Sequence, residues 1–318
     1  MDTILITGGA GFIGSAITRA LIADGIGVTV VDDLSTGVRL NVPPEAHFIG
    51  ADVADRDAMR AAFGSREHDA VLHLAAQVSN IVSHRDPWAD FRTNVGGTLN
   101  VIEQVVAHRI PRVLYASSMA LYGDPAALPV SETAVLRPRS PYGVSKLAAE
   151  HLIHNAGERS DVHGFAVTSL RMFNVYGPGQ SLTNMYQGVL SVFVANLLAG
   201  DPITLYGTGR QTRDFVYVDD VVDAWVRALR SDARDQRINV GSGVERSIGQ
   251  LIDDVLAAFG RERESYPIHV EPELPGDQRA IRAVIGRARE LLGWSPRTPF
   301  EAGLRATIEW ARSTWKGG

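Results

Sequence analysis

The apolar positions of this chain follow two rhythms. Residues 3–7 read as a short buried strand, followed by a glycine-rich turn and an apolar helix over 15–23. A short apolar run giving way to helical spacing marks a strand-to-helix transition. Comparable runs at 28–31, 47–53, 70–76, 112–117 and 168–172 alternate with helical stretches at 55–63, at 86–107 and from Pro141 onward. That alternation predicts an α/β fold with a doubly wound parallel sheet.

Beyond about residue 170 the rhythm breaks. Helices are predicted over 189–198, 221–229, 248–259 and 300–315, and residues 290–294 end a further one. Residues 205–214 read as a turn-rich cationic stretch, and 268–270 as a short strand. Residues 238–240 read as a strand returning to the main sheet. The second half is therefore expected to be a smaller C-terminal substrate lobe interleaved with the first. The division is 1–173, with 214–250 returning to it, against 174–318.

Composition narrows the function classes. With 318 residues the chain can bury a large core, and 45% hydrophobic content is ordinary for a globular protein. A net charge of −5 gives no basic surface for nucleic acid or an anionic membrane. The absence of cysteine excludes disulfides, thiolate chemistry and Cys-based zinc sites. It fits a reducing, cytoplasmic setting. No signal-peptide pattern opens the chain, and no apolar run is long enough to span a bilayer.

The first chemical candidate is the turn between the first strand and helix. Gly8, Gly11 and Gly14 lie in Thr7-Gly-Gly-Ala-Gly-Phe-Ile-Gly14. Glycines there let the backbone turn, approach a pyrophosphate and pack helix on strand, while the helix N-terminus favours the anion. Asp32 and Asp33 close the second strand, where a carboxylate can bind both ribose hydroxyls and repel a 2′-phosphate. This points to NAD rather than NADP, in a Rossmann-like fold. Asp52 meets either the adenine or the start of helix 55–63. His73, inside an apolar strand, reads as a core histidine. Asp219 and Asp220 read as the N-cap and first turn of the helix that follows. His151 and His154 lack further ligands at metal spacing, so no metal is expected.

The second candidate is Ser140-Pro-Tyr-Gly-Val-Ser-Lys146. Ser140 is a good N-cap, Pro141 suits the first turn, and Tyr142 and Lys146 lie one turn apart on one helix face. A free phenol titrates near ~10, and a fixed ammonium nearby favours the phenolate. The pair can therefore act as a general base.

Nine motifs in sequence carry a resemblance. Besides the glycine turn they are Asp32-Asp-Leu-Ser-Thr-Gly37, Asp52-Val53, His73-Leu-Ala-Ala76, Asn94-Val-Gly-Gly-Thr98, Ser117-Ser-Met-Ala-Leu-Tyr-Gly-Asp124, Tyr142 with Lys146, Arg171-Met-Phe-Asn-Val-Tyr-Gly-Pro178 and Arg213-Asp-Phe-Val-Tyr-Val-Asp-Asp220. With Pro275-Gly-Asp-Gln-Arg279 and Leu291-Leu-Gly-Trp294 they span almost the whole chain. Together they resemble the extended short-chain dehydrogenase/reductase family, in its nucleotide-sugar epimerase and dehydratase branch.

The resemblance implies a tightly held NAD. Its expected contacts are Gly8, Gly11, Phe12, Ile13, Gly14, Asp32, Asp33, Leu34, Ser35, Thr36, Gly37, Asp52, Val53, Leu74, Ala75, Ala76, Gln77, Asn94, Ser117, Tyr142, Lys146 and Phe173. Ser118 is implied to hydrogen-bond the sugar oxygen, Tyr142 to take its proton, and Lys146 to lower the Tyr142 pKa and bind the nicotinamide ribose. The implied substrate contacts are Ser118, Tyr142, Asn174, Val189, Leu205, Tyr206, Arg213 and Arg279. The two arginines would hold the diphosphate; the other reading is an ion pair with Asp214 or Asp277. The loop 180–187 should border the sugar. Ile281 falls where a small residue goes with N-acetylated sugars, so it favours unacetylated ones.

Dehydratases of this branch carry Asp-Glu after the serine, and the glucuronate decarboxylases keep a glutamate. Here Met119 and Ala120 stand there, and neither transfers a proton. The implied reaction is 4-epimerisation of a UDP-hexose, UDP-glucose or UDP-galactose. Hydride would pass from C4 to NAD and return to the other face of a 4-keto sugar. The alternatives are a UDP-glucuronate 4-epimerase, for which Arg85 leaves room, or another nucleotide-sugar oxidoreductase or dehydratase. A homodimer through helices 86–107 and 141–155 is also implied.

Overall fold

The structure, a computed structural model, describes residues 1–159, 163–184, 188–274 and 276–315. Pro275 of the resemblance and residues 185–187 of the loop expected beside the sugar lie outside them.

The central sheet is parallel and seven-stranded. In chain order its strands are β1 (Thr3–Thr7), β2 (Gly27–Asp32), β3 (His47–Gly50), β4 (Ala70–His73), β5 (Arg112–Ser118) and β6 (Ala166–Met172), joined later by Gln236–Val240. Period-2 alternation in each strand feeds two cores. Ile4 and Ile6 face one core, with Leu114, Val221 and Trp225. Leu5 faces the other, with Met59, Phe63, Val101, Tyr115 and Ile153. Strands buried on both faces are near-continuously apolar, which is why the sequence revealed them.

The spatial order of the sheet reverses around β1, which pairs with β2 on one side and β4 on the other. A crevice opens outside the carboxyl ends of strands at such a switch point. Helix α1 (Phe12–Ala23) follows β1, so the glycine turn lies at the crevice. Gly8 has φ +73°, and a Cβ there would sit 2.6 Å from the Ala75 backbone nitrogen at the end of β4. A Cβ on Gly14 would strike the Gly8 carbonyl oxygen. Turn, helix and β4 thus touch backbone to backbone.

On the second face lie α2 (Arg56–Gly64), α3 (Asn80–Arg85), α4 (Pro87–Phe91), α5 (Gly97–Ala107) and α6 (Pro141–Gly157). The helix expected over 86–107 runs through, but with a π-helical turn at Arg92–Gly96 between α4 and α5. α6 begins as its sequence predicts, with the Ser140 hydroxyl accepting from the Gly143 N–H at 3.1 Å and Pro141 in the first turn.

After β6 come β7 (Asn174–Tyr176), α7 (Val189–Ala199), β8 (Ile203–Tyr206), β9 (Thr212–Tyr217), α8 (Val218–Arg230), β10 (Gln236–Val240), β11 (Glu245–Ser247), α9 (Ile248–Ala258), β12 (Ile268–Glu271), α10 (Gly286–Leu292) and α11 (Phe300–Thr314). A second lobe forms around a three-stranded sheet, β11-β9-β7, and the β12-β8 pair. β10 pairs with β6 in the central sheet, and α8 and α10 pack on the first core, so the chain crosses back.

Two expectations change. Residues 205–214 are not simply turns, because β8 and β9 enter them from either side. Asp219 and Asp220 lie in the first turn of α8, but Tyr217 is the N-cap. The Asp220 carboxylate instead accepts from the N–H groups of Arg297 and Thr298, both at 3.0 Å, and tethers the approach to α11.

Candidate active site

A cavity of about 340 Å³ lies over the carboxyl ends of β1, β2, β4, β5 and β6, within the range of small-molecule sites. Of the expected cofactor contacts, its wall includes Gly8, Gly11, Phe12, Ile13, Gly14, Asp32, Asp33, Ser35, Thr36, Gly37, Val53, Leu74, Ala75, Ala76, Ser117, Tyr142, Lys146 and Phe173. Of the expected substrate contacts it includes Ser118, Tyr142 and Asn174.

Other predicted residues stand behind or beside this wall. The Leu34 N–H donates to Asp32 at 2.9 Å. Asp52 accepts from the Ala54 N–H and pairs with Arg92 at 3.2 Å, while Asp55 caps α2. Gln77 and Asn94 exchange hydrogen bonds at 2.8 and 3.0 Å. Val189 follows Gly188, which does line the cavity. Leu205 is buried in the core of the second lobe and Tyr206 is exposed, both away from the wall. Arg213 is buried on β9, where it pairs with Asp277 and donates to the Gln278 carbonyl at 2.7 Å. Arg279 is exposed on the neighbouring segment. Ile281 is fully buried in the first core and does not reach the cavity.

Sequence reasoning missed Ala51, Val78, Thr93, Ala116, Met172 and Val175 as lining residues. Ala116 and Met172 adjoin predicted contacts at strand ends, a usable signal. Thr93 reaches the wall from the π-helical turn, which nothing in the sequence announces.

The wall suits a dinucleotide. No side chain caps α1, and its N-cap is Gly11, so the N–H groups of the first turn meet the cavity with no side chain between. Asp32 shapes the loop itself, accepting from the Ala10 N–H at 3.0 Å. The Asn174 Oδ1 is buried with no hydrogen-bond partner in the protein, an acceptor awaiting a donor.

At the far end Ser118, Tyr142 and Lys146 meet. Burial pushes the Tyr142 phenol above its ordinary value, against a hydrogen bond with Ser118 that lowers it. Lys146 is 3% exposed and its Nζ lies 4.3 Å from the centre of the Tyr115 ring. Burial brings the Lys146 ammonium down to about 7, opposed by Glu150 and Asp90. In the protein alone burial thus favours the neutral form of both groups. The turn after Ser118, Met119–Tyr122, carries no carboxylate or histidine. His73 is buried between the Thr7 and Thr98 hydroxyls at 2.7 and 3.0 Å, and burial holds it neutral with a pKa of about 3. It is a core histidine. His154 binds Asp235 and Ser169, at 2.6 and 2.8 Å. No group of potential metal ligands forms among the described residues.

The model of the NAD dependent epimerase/dehydratase family matches residues 4–241. The chain belongs to that family. It is an enzyme, and NAD is its cofactor. It is 38% identical to UDP-glucose 4-epimerase of Mycolicibacterium smegmatis, over 97% of this chain and 98% of that one. Among solved structures it resembles UDP-glucose 4-epimerase from Thermotoga maritima with UDP-glucose, at TM-score 0.93 and 35% identity over 98% and 99% of the two chains. It also resembles UDP-glucose 4-epimerase from Thermus thermophilus in complex with NAD, at TM-score 0.92 and 36% identity over 98% and 100%. No described helix is long and apolar enough to cross a membrane.

Proposed function

We propose that this enzyme is a UDP-hexose 4-epimerase that interconverts UDP-glucose and UDP-galactose. The observation that carries the reading is that Ser118, Tyr142 and the buried Lys146 line one cavity, next to a turn that offers no carboxylate or histidine. Epimerisation requires one proton to leave a sugar hydroxyl and return. Elimination of water would require a second proton-transfer group.

Ser118 holds the reacting hydroxyl, and Tyr142 takes and returns its proton at the phenolic oxygen. Lys146 fixes the positive charge that favours phenolate. NAD, when bound, supplies a reversible hydride acceptor and, in its oxidised form, a further positive charge. The proposed cofactor cradle is the glycine turn with Asp32 and Asp33. Asn174, with its bare Oδ1, is the proposed anchor for substrate. Arg213 and Arg279 are the proposed diphosphate contacts; their segments adjoin through the Thr212 N–H to Arg279 carbonyl hydrogen bond at 3.0 Å. The relatives named as UDP-glucose 4-epimerases support the choice of base and sugar.

The active form is proposed to be a homodimer. α4, α5 and α6 expose Trp88 (84%), Leu99 and Val144, and light scattering should give twice the chain mass. The function is tested by incubating the NAD-loaded enzyme separately with UDP-glucose, UDP-glucuronate and UDP-N-acetylglucosamine and separating the products by chromatography. UDP-galactose from UDP-glucose is expected. A 4-keto-6-deoxy product, or NADH released mole for mole, would overturn the reaction assignment.

A further inference from the structure

A carboxylate behind the Tyr142–Lys146 pair has no part in the steps above. Asp90, in α4, is fully buried. α4 ends one residue later and the π-helical turn Arg92–Gly96 begins; such turns recur at functional sites. Here the turn holds Asn94 where its amide donates both to Asp90 Oδ1 at 3.3 Å and to the Ser145 hydroxyl at 3.0 Å. Ser145 immediately precedes Lys146. Asp90 Oδ1 also accepts from Gln77 Nε2 at 2.7 Å. Its other oxygen, Oδ2, is buried with no partner in the protein. Three segments thus converge to fix a carboxylate under α6 and leave one oxygen bare.

The charges around Lys146 explain why. The other buried carboxylate near it is Glu150, one turn along α6. Glu150 is taken by Arg171, which donates to both its oxygens, at 2.6 and 3.1 Å. That pair is neutral as a unit. His73 is neutral. Glu150 acts on Lys146 more strongly than Asp90 does, but its charge is already matched by Arg171. Asp90, whose carboxyl is raised by burial and lowered by Lys146, is the buried charge left to balance Lys146, and a buried charge without a counter-charge is costly. The remaining ionisable groups around Asp90 are Tyr115 on β5, Tyr142 on α6, His84 and Arg85 on α3, and Asp86 and Arg92 at the ends of α4. Arg92 is itself paired with Asp52.

We propose that Asp90 is the buried counter-charge of Lys146, a positioning residue that keeps the ammonium charged inside the closed site. The proposal rests on the reading of Tyr142 as the base and Lys146 as its cation. Composition adds weight. Of the 31 lysines and arginines, only Lys146 and Lys316 are lysine. An arginine would stay charged unaided, whereas a buried lysine loses its proton readily. A chain that otherwise uses arginine keeps at 146 the cation that needs a partner. The Asp90 charge opposes the loss of the Lys146 proton and also opposes ionisation of Tyr142. Its removal should therefore make both groups more acidic.

Two lysines make the test direct. In NAD-loaded enzyme labelled with 13C and 15N only at lysine, two side-chain signals appear, and Lys316→Arg assigns them. Asp90→Asn keeps the Oδ1 acceptor, places an amide at the bare oxygen and removes the charge. The Lys146 midpoint should fall by about one pH unit. Both limbs of the epimerisation pH profile should move to lower pH. Should Asp90→Asn not fold, Asp90→Ser, which keeps a hydroxyl acceptor, gives the same reading. A Lys146 midpoint unchanged by the substitution, or a uniform loss of rate without displacement of the profile, overturns the proposal. Tyr142→Phe separates the two failures. If that variant keeps the wild-type rate, the reading of the base falls and the proposal with it. If it is inactive while Lys146 titrates in Asp90→Asn as in the wild type, only the counter-charge falls.

Discussion

Replacing Glu150 by glutamine should destabilise the protein far more than its near-identical shape suggests. Glu150 is fully buried on α6. It accepts from Arg171 through both oxygens and from the Ser117 hydroxyl at 2.6 Å. Arg171 is 3% exposed and also donates to the Tyr122 hydroxyl at 3.1 Å. Glutamine keeps one acceptor oxygen, turns an amide toward the guanidinium and leaves a buried cation without its anion. Removing one partner of a buried pair costs about 3–5 kcal/mol. For 318 residues, an unfolding entropy of about 2.1 cal/mol/K per residue gives about 0.7 kcal/mol/K, so Tm should fall by roughly 4–7 °C. The double variant Glu150→Gln/Arg171→Met removes both charges and should recover part of the loss, with clear non-additivity. Circular-dichroism melts of the four proteins of the cycle read this directly.

The pH dependence of the same cycle has a definite sign. Burial raises the Glu150 carboxyl, but Arg171 and Ser117 outweigh it and hold the carboxyl below its usual 4.5. A depressed folded value means stability present in full above pH 4.5 and lost progressively as pH falls from there through the lower, folded value. The gap between wild type and Glu150→Gln should therefore close in acid. A single-variant loss below about 1 kcal/mol, or additive behaviour, would refute the reasoning.

Two further outcomes follow from the buried groups and the cofactor cradle. His73 should stay neutral by ring NMR well below pH 6.5, because burial holds its pKa near 3. The unfolded chain takes up that proton near 6.5, so stability should fall as pH drops from there, and a His73 titrating near 6.5 would contradict this. With Asp32 and Asp33 on the cavity wall, NADP should bind at least about tenfold more weakly than NAD in a fluorescence titration, and equal affinity would contradict the assigned orientation of the cradle.

The central sheet was legible because β1, β2, β4 and β5 are buried runs made mostly of apolar residues. The glycine turn, Ser140 and Pro141 were legible because local backbone chemistry dictates them. β9 was not. Arg213 and Asp214 look like loop residues, yet they are buried in a strand because distant groups satisfy them. Arg213 is met by Asp277 and the Gln278 carbonyl, and Asp214 by the N–H groups of Ser242, Gly243 and Ala283. The tether made by Asp220 was hidden for the same reason, since its partners lie 77 and 78 residues further along. In the site, the four-residue spacing of Tyr142 and Lys146 was visible. The charge balance behind them was not, because Gln77, the Asp90–Asn94 turn and Ser145 come from three separate segments and no local pattern joins them. The π-helical turn between α4 and α5 has no proline to announce it.

The most direct test of the whole account is the Tyr142→Phe enzyme, assayed for bound dinucleotide and for conversion of UDP-glucose. Phenylalanine keeps the ring and removes the one oxygen assigned to proton transfer. The dinucleotide should remain bound while the rate falls by about 10²–10⁴-fold. An epimerisation rate within a few-fold of wild type, with the cofactor in place, would contradict the assignment of the base.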